Sequence, residues 1–261
     1  MGKLEALLWD VDGTISETER DGHRVAFNLA FEACGLAWRW DEARYGELLR
    51  ITGGRERLLH DMQTRPDAPA PAGERDALAR TIHAKKNTLY ADIVGAGLIP
   101  LREGVAQLME QCRARGVRMG IATTTSRSNL DALLRFHFGP RWAQGFSALV
   151  CGEDVERKKP DPAAYVDALR LLGIGPLEAV ALEDSPGGVD AALAAGIPVI
   201  VTRSAYFGRA VIEGAMAIGP GLQTRRGWQP ALRAGGNDRE PVGIDDIEAW
   251  RAQADAGARL E

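Results

Sequence analysis

Apolar and polar positions follow two different spacings along this chain. Short apolar runs end at turn-forming or acidic residues, and such runs are typical of buried strands. These runs cover residues 6–9, 117–122, 148–151, 179–182 and 198–201. Between several of them, apolar residues recur every three or four positions, as at Val105, Leu108 and Cys112, which predicts amphipathic helices. This alternation of strand and helix predicts a mostly parallel sheet covered by helices on both faces.

The stretch between residues 17 and 93 has a different pattern. Helical spacing recurs there, and no convincing strand interrupts it. Its proline-rich residues 65–71 are typical of a loop between helices. We therefore predict an α/β protein with a Rossmann-like core, residues 1–16 and 94–261, and a small all-α domain, residues 17–93, inserted after the first strand.

The pattern weakens after residue 203. Residues 216–218 are short and apolar enough for a last edge strand, and residues 233–243 are rich in glycine and charge, as loops are. Residues 244–256 then carry apolar side chains on one helical face. We predict a terminal amphipathic helix there and assign no function to this part of the chain.

Composition limits the class of protein and its partners. The chain has 261 residues, of which 45% are apolar and 26% charged, as in an ordinary globular protein of one large or two modest domains. A net charge of -4 argues against generic nucleic-acid binding, which needs a basic surface. Cys34, Cys112 and Cys151 are too far apart for a disulfide framework or a zinc site. The expected partner is a small molecule.

The sequence also bears on cellular location and assembly. Apolar runs stay well short of the roughly 18 residues that a membrane-spanning helix needs. The chain reaches Asp10 before the apolar core of a signal peptide could form. We expect a cytoplasmic protein, without a membrane partner, that acts as a monomer.

Two carboxylates follow the first predicted strand, in the sequence Asp10-Val11-Asp12-Gly13-Thr14. Open α/β sheets bind their ligands at the carboxyl ends of the strands, where both acids fall. One Asp there can attack phosphorus, while the other handles the proton of the leaving group and a divalent cation offsets negative charge. A simple Asx-type turn, which Asp-Gly sequences often form, is the alternative interpretation.

Further polar groups follow later predicted strands. They are Thr123-Thr124-Thr125-Ser126, Lys158-Lys159-Pro160 and Glu183-Asp184. The hydroxyl-rich turn can donate hydrogen bonds to phosphoryl oxygens, and a lysine can neutralise them. Paired carboxylates suit a hard cation with oxygen ligands, such as Mg²⁺. Each group also has a plain structural alternative: a helix cap for the hydroxyls and the acids, and a solvated pair for the lysines.

The four groups, in this order and each after a strand, closely resemble the motifs of the haloacid dehalogenase superfamily. The resemblance covers about residues 5 to 205 and implies that Asp10 is the nucleophile and Asp12 the general acid and base. It further implies that Thr125, with the amide of Ser126, holds the phosphoryl group; the run of three threonines leaves that register open by one residue. The lysine directly before the proline, Lys159, would neutralise the transferring phosphate.

The same resemblance implies a magnesium site and a class of reaction. Asp10, the backbone carbonyl of Asp12, Glu183 and Asp184 would bind Mg²⁺. The expected enzyme is a phosphoric monoester hydrolase that forms an aspartyl phosphate. The second Asp argues against a dehalogenase, because a halide leaving group needs no proton.

The helical insertion resembles the small cap of this superfamily, which closes over the site and contacts the end of the substrate that does not react. Together with the core motifs, its polar clusters resemble the CbbY-type phosphatases, whose known substrate is xylulose 1,5-bisphosphate, an inhibitor of carbon fixation. The implied substrate-binding residues are Glu19, His23, Thr52, Gly53, Gly54, Arg55, Glu56, His83, Lys86 and Ser126. A bisphosphate needs a second cationic site, which Arg55, His83 and Lys86 can supply.

Two other functions share the same motifs. A phosphotransferase like β-phosphoglucomutase would use the same core and differ in whether the cap excludes water from the aspartyl phosphate. A non-catalytic sensor would bind phosphorylated sugars without turnover. The cap resemblance favours hydrolysis, of xylulose 1,5-bisphosphate or of another sugar phosphate.

Overall fold

A six-stranded parallel sheet forms the centre of the molecule in the part of the chain that the computed structural model describes, residues 2–231 and 237–257. Its strands are β1 (Ala6–Trp9), β2 (Arg118–Ala122), β3 (Ala148–Val150), β4 (Ala179–Glu183), β5 (Val199–Thr202) and β6 (Ala217–Gly219). They lie in the order β3-β2-β1-β4-β5-β6, and every neighbouring pair is parallel. This is the strand order of a Rossmann-like sheet, in which the order reverses at β1.

Helices cover the sheet and build the insertion. In the insertion they are α1 (Arg24–Ala33), α2 (Glu42–Leu48), α3 (Gly54–Met62) and α4 (Ala72–Gly95). Around the sheet they are α5 (Val105–Arg115), α6 (Arg127–Phe138), α7 (Ala163–Leu172), α8 (Pro186–Ala194) and α9 (Ile244–Gly257). A π-helical turn, Glu19–His23, precedes α1, and short 3-10 helices lie at Trp142–Gly145 and Pro176–Glu178.

Alternate residues of β1 pack on opposite faces of the sheet. Leu7 and Trp9 join the apolar cluster that includes residues of α5, α6 and α9, whereas Ala6 and Leu8 join the cluster with residues of α7 and α8. Side chains of successive strand residues point to opposite faces of the sheet. A strand made only of apolar residues is therefore one whose two faces are both covered by other elements. Its polar residues are therefore confined to the strand ends.

The inserted helices have an apolar cluster of their own, centred on Phe27, Phe31 and Trp40. The two segments of chain that join the insertion to the sheet meet side by side, since Ser16 and Leu101 form an antiparallel bridge. The division of the chain into two domains at residues 17 and 93 stays a prediction. Helix α4 runs two residues past that boundary, to Gly95.

Most predictions about elements are confirmed. Each predicted strand is present within two residues of its expected bounds, including the edge strand β6, and α9 follows the predicted terminal helix. Part of the loop predicted at 233–243 lies outside the described residues, because these resume at Asn237. Within the described ranges, no helix combines the length and apolar character needed to cross a membrane. All three cysteines are free thiols.

Candidate active site

Asp10 follows β1 directly and is held beside the end of β4. Its backbone N–H donates to the carbonyl of Leu182 at 3.0 Å, continuing the pairing of Trp9 with Leu182. Because the strands are parallel, this register brings the residue after β1 next to Glu183, the last residue of β4, and to Asp184. The predicted convergence of the acids at one sheet edge therefore agrees with the structure.

Lys159 lies between two of these carboxylates. Its Nζ is 2.7 Å from Asp10 Oδ1 and 2.6 Å from Glu183 Oε1, and it is only 5% exposed. The Tyr165 hydroxyl also donates to Glu183 Oε1, at 2.6 Å. Burial would lower the pKa of Lys159, but Asp10 and Glu183 raise it above its ordinary value. The ammonium group is thus held charged beside the proposed nucleophile.

Asp10, Glu183 and Asp184 together form a buried acidic cluster. A carboxylate oxygen of each lies within 4.8 Å of one from each of the others. Burial raises the pKa of Asp10 well above its usual range, with Lys159 opposing this, and burial together with Asp10 and Glu183 raises the pKa of Asp184. A cluster of like charges with oxygen donors only fits a hard divalent cation such as Mg²⁺, which would offset their repulsion.

Two glycines allow the backbone to approach this cluster closely. Gly13 has a φ of +89°, and a Cβ added there would collide with the Asp184 carboxylate. A Cβ on Gly188, in the first turn of α8, would collide with the carboxylate of Glu183. The space occupied by the acids therefore depends on the absence of side chains at both positions.

Asp12 has different surroundings from Asp10. The Thr18 hydroxyl donates to Asp12 Oδ1 at 2.5 Å, and His23 Nε2 lies 3.1 Å from the same oxygen. Burial acts to raise the pKa of Asp12, but His23 and Thr18 outweigh it and lower the pKa to about 2. Two carboxylates with environments that push their pKa values apart are typical of a site in which they have separate roles.

A cleft between the sheet edge and the inserted helices holds two adjoining cavities. We call them the acid-side cavity, of about 320 Å³, which includes Asp10, Lys159 and Asp184, and the cap-side cavity, of about 200 Å³, which includes His83 and Lys86. Residues that line both cavities are Asp12, Glu19, Gly53, Arg57 and Thr124. The cavities thus meet at Asp12, and a ligand can extend from one into the other.

The structure brings the predicted substrate-binding residues to this cleft. Those that line the cap-side cavity are Glu19, His23, Gly53, Gly54, Arg55, Glu56, His83, Lys86 and Ser126. Thr125, predicted to hold the phosphoryl group, also lines this cavity. Thr52 lines the acid-side cavity. Burial lowers the pKa of His83 to about 4, and Lys86 adds to this effect. The imidazole is therefore neutral at pH 7, and it can contact a ligand only as a neutral hydrogen-bonding group.

Arg55 and Glu56 are already engaged in ion pairs. Arg55 contacts Asp76 on α4, and its side chain is about half exposed. Glu56 of α3 pairs with Lys158 of the core, whose Nζ is 2.6 Å from Glu56 Oε1. This pair crosses from the insertion to the core at the margin of the cap-side cavity.

Arg57 is a site residue that the sequence did not single out. It is 5% exposed, and its Nη1 donates to the Tyr45 hydroxyl at 2.7 Å. Glu19 Oε2 lies 3.7 Å from that Nη1 and accepts a hydrogen bond from Tyr45. In the sequence, Arg57 is one charged residue among several on α3, and helical spacing alone does not separate an arginine in a cleft from one on a solvated face.

The position of the hydroxyl-rich turn bears on the register left open in the sequence. Thr124 lines both cavities, whereas Thr125 lines the cap-side cavity. The Ser126 hydroxyl accepts from the backbone N–H of Asn129 at 3.3 Å and so caps α6. Thr124, one residue before the predicted Thr125, is therefore the member of this turn that reaches both cavities.

Comparison with known proteins gives the family of the chain. The family model of haloacid dehalogenase-like hydrolases matches residues 4–196. The chain belongs to this family. The match spans β1, the inserted helices and every motif of the acidic cluster, so the expected fold class and family are confirmed.

Specific relatives place the chain among the CbbY-type members. It is 41% identical over 219 residues to the plasmid-encoded protein CbbY of Cupriavidus necator, covering 84% of this chain and 86% of that protein. It is also similar to the crystal structure of CbbY from Rhodobacter sphaeroides in complex with phosphate, at 40% identity and a TM-score of 0.76, covering 81% and 92% of the two chains. A mutant of that protein in complex with xylulose-(1,5)bisphosphate gives 39% identity and a TM-score of 0.76.

The enzyme class follows from the family and the relatives. The chain is a phosphoric monoester hydrolase of the haloacid dehalogenase type, as expected from the order of its motifs. The individual roles assigned to its residues stay predictions, and the geometry above shows which of them can act together.

Proposed function

We propose that this enzyme is a Mg²⁺-dependent phosphatase of xylulose 1,5-bisphosphate that releases xylulose 5-phosphate and inorganic phosphate. The observation that carries the proposal is the cleft itself. Asp10 and Lys159 lie in the acid-side cavity, Lys86 lies in the cap-side cavity, and Arg57 lies where the two cavities meet. A molecule with a phosphate at each end matches this distribution of charge. The similarity to CbbY supports the same substrate.

The chain's own residues account for the steps. Asp10 attacks phosphorus, the bond from phosphorus to the ester oxygen breaks, and Asp12 donates a proton to that oxygen. Asp12 is ionised in the free enzyme. The negative phosphoryl group raises the pKa of Asp12 on binding, so Asp12 takes up from water the proton that it then donates. Water then attacks phosphorus of the aspartyl phosphate and passes a proton to Asp12, while the bond between phosphorus and the Asp10 oxygen breaks. Inorganic phosphate leaves, and the Asp10 carboxylate is restored. Lys159 stabilises the charge on the transferring group throughout.

Mg²⁺ would be held by the carboxylates of Asp10, Glu183 and Asp184, with the carbonyl of Asp12 as a further ligand. When bound, it supplies positive charge that makes phosphorus more electrophilic. We further propose that the enzyme acts as a monomer in the cytoplasm, without nucleic-acid or membrane partners. Size-exclusion chromatography with light scattering tests the monomer.

The decisive experiment measures phosphate release from five- and six-carbon sugar monophosphates and bisphosphates, with Mg²⁺ present and after its removal by a chelator. We expect activity with Mg²⁺, strongest on the pentulose bisphosphate, and its loss on chelation. Asp10→Asn should reduce kcat by about a thousandfold or more, as loss of a nucleophile does. Asp245→Asn, a surface carboxylate that pairs with Arg115, is the matched control and should leave kcat unchanged.

Three results would contradict the proposal. They are no phosphate release from any sugar phosphate, full activity of Asp10→Asn, or isomerised sugar phosphate as the main product with little free phosphate. The last of these would identify a phosphotransferase of the β-phosphoglucomutase kind, and ligand-induced stabilisation without turnover would identify a sensor.

A further inference from the structure

A loop of the core lies at the edge of the cleft and contacts the inserted helices. This loop, residues 204–207, follows β5, and we call it the tyrosine strap. The ring of Tyr206 lies 5.7 Å, centroid to centroid, from the ring of Tyr45 on α2, at an interplanar angle of 52°. Its neighbour Phe207 lines the acid-side cavity. The strap therefore joins the core to the insertion directly beside the site.

Gly46 makes the contact of Tyr206 with α2 possible. Glycine in the interior of a helix is unfavourable, and Gly46 lies inside a helix of seven residues. A Cβ at this position would be 3.1 Å from Cδ1 and 3.3 Å from Cε1 of the Tyr206 ring, closer than real side chains normally approach. The missing side chain leaves room for the ring to lie against the helix.

The other end of Tyr45 reaches the cleft. Its hydroxyl donates to Glu19 Oε2 and accepts from Arg57 Nη1. Both Glu19 and Arg57 line the two cavities. Tyr45 is fully buried, so a displacement of its ring changes where these two charged groups lie.

The strap is itself anchored near the point where the insertion leaves the sheet. The backbone N–H of Ala205 donates to both carboxylate oxygens of Glu17, at 3.2 and 3.3 Å. Glu17 in turn lies 3.7 Å from the Nε of Arg102, whose guanidinium donates to the carbonyls of Gly13 and Arg203. These bonds hold one end of the strap where the insertion begins, and the Tyr206 ring extends from it to α2.

We propose that Tyr206 is a positioning residue that holds Tyr45, and through it Glu19 and Arg57, against the core and so sets the affinity for the sugar end of the substrate. It lies beyond residue 196, where the family match ends, so the family motifs do not include it. This inference rests on the proposed function for its kinetic readout. It concerns binding of the sugar end and leaves the chemistry at Asp10 unchanged.

The test compares Tyr206→Ala with Tyr206→Phe. We expect the alanine variant to raise KM for the sugar bisphosphate about tenfold, the factor that an aromatic ring pair can supply, with kcat nearly unchanged. The phenylalanine variant keeps the ring and should behave like the wild type. Phe136→Ala, which removes an exposed ring on α6 away from both cavities, is the matched control.

A small ester separates positioning from general damage. Hydrolysis of p-nitrophenyl phosphate, which has no sugar end, should be the same in Tyr206→Ala and the wild type. Gly46→Leu approaches the contact from the other side and should reproduce the rise in KM by displacing the ring. An unchanged KM in Tyr206→Ala, or an equal loss of kcat/KM on both esters, would overturn the inference.

Hydrogen exchange tests the structural part of the inference without an enzymatic assay. We expect the amides of α2 and of residues 19–23 to exchange faster in Tyr206→Ala than in Phe136→Ala or the wild type. If the wild type hydrolyses no sugar phosphate, the proposed function fails, and the exchange data still test the strap. Equal exchange in all three proteins would show that Tyr206 does not hold the insertion.

Discussion

Lys86 is almost completely buried, and it lines the cap-side cavity, in which we propose that the second phosphate binds. Its ammonium group lies 5.3 Å and 5.1 Å from the ring centroids of Phe27 and Tyr90. Burial lowers its pKa to about 8, although Asp12 and Glu19 act in the opposite direction. The charge that we propose binds a second phosphate is therefore lost within the pH range where enzymes are commonly assayed.

We expect substrate affinity to fall as the pH rises through about 8. Lys86 is charged below its pKa and neutral above it, so KM for a sugar bisphosphate should increase on the alkaline side. In Lys86→Arg the guanidinium stays charged, and this rise should disappear. The measurement is KM as a function of pH for both proteins, and an identical alkaline rise in the two would exclude Lys86 as its source.

The hydroxyl turn allows a comparison between neighbours. Thr124→Val should lower kcat by about a hundredfold, the usual effect of removing one hydrogen-bond donor from a transition state. Thr125→Val should lower kcat by a smaller factor, because Thr125 lines only the cap-side cavity of the two, whereas Thr124 lines both. Steady-state kinetics on a monophosphate measure this difference. A larger loss at Thr125 would restore the register expected from the sequence.

Helix α8 offers a test in which helix propensity and packing predict opposite results. Gly187 and Gly188 both lie in its first turn, so alanine at either should favour the helix, by up to about 1 kcal/mol. At Gly187 a Cβ meets nothing within 4 Å, and Gly187→Ala should be neutral or stabilising. At Gly188 it collides with Glu183, so Gly188→Ala should destabilise the protein. Urea unfolding measures the free energy of unfolding of both variants. Equal values would show that the Glu183 carboxylate can shift to make room for a Cβ at residue 188.

The strands and the acidic motifs could be predicted because their signals are local. An apolar run followed by Asp10, or by Glu183, shows in a few residues that the chain is buried and then ends at a polar edge. Arg57 could not be predicted in this way, since its burial depends on Tyr45 and the carbonyl of Leu48. Tyr206 was missed for the same reason, because its partner lies about 160 residues away in the sequence and no local pattern reports that contact.

Across the whole molecule, the C-terminal part completes one face of the sheet. Trp250 of α9 is fully buried, and its ring centroid lies 4.6 Å from that of Trp228. Its indole N–H donates to the carbonyl of Pro230 at 3.0 Å. Arg251 donates to the carbonyls of Gly2 and Leu177. This segment lies beyond the family match but shares the apolar cluster of β1.

Trp250→Ala should therefore destabilise the whole protein, by about 3 to 5 kcal/mol, as the loss of a large buried side chain does. Leu171→Ala, at a position that is 55% exposed, should change the free energy of unfolding by less than about 0.5 kcal/mol. Denaturant unfolding measures both. A cost below about 1 kcal/mol for Trp250→Ala would show that this side chain contributes little to the stability of the core.

The bridge between Ser16 and Leu101 determines how the insertion can move. Both connecting segments run side by side at this point, and Arg102 ties the second to the carbonyl of Gly13 on the first. We expect two connections fixed together to act as one hinge, about which the insertion turns as a unit without sliding across the sheet. Asp12 and Thr18 lie beside this hinge in the sequence, so we expect them to shift less when the cleft opens than Arg55, which lies on α3 of the insertion.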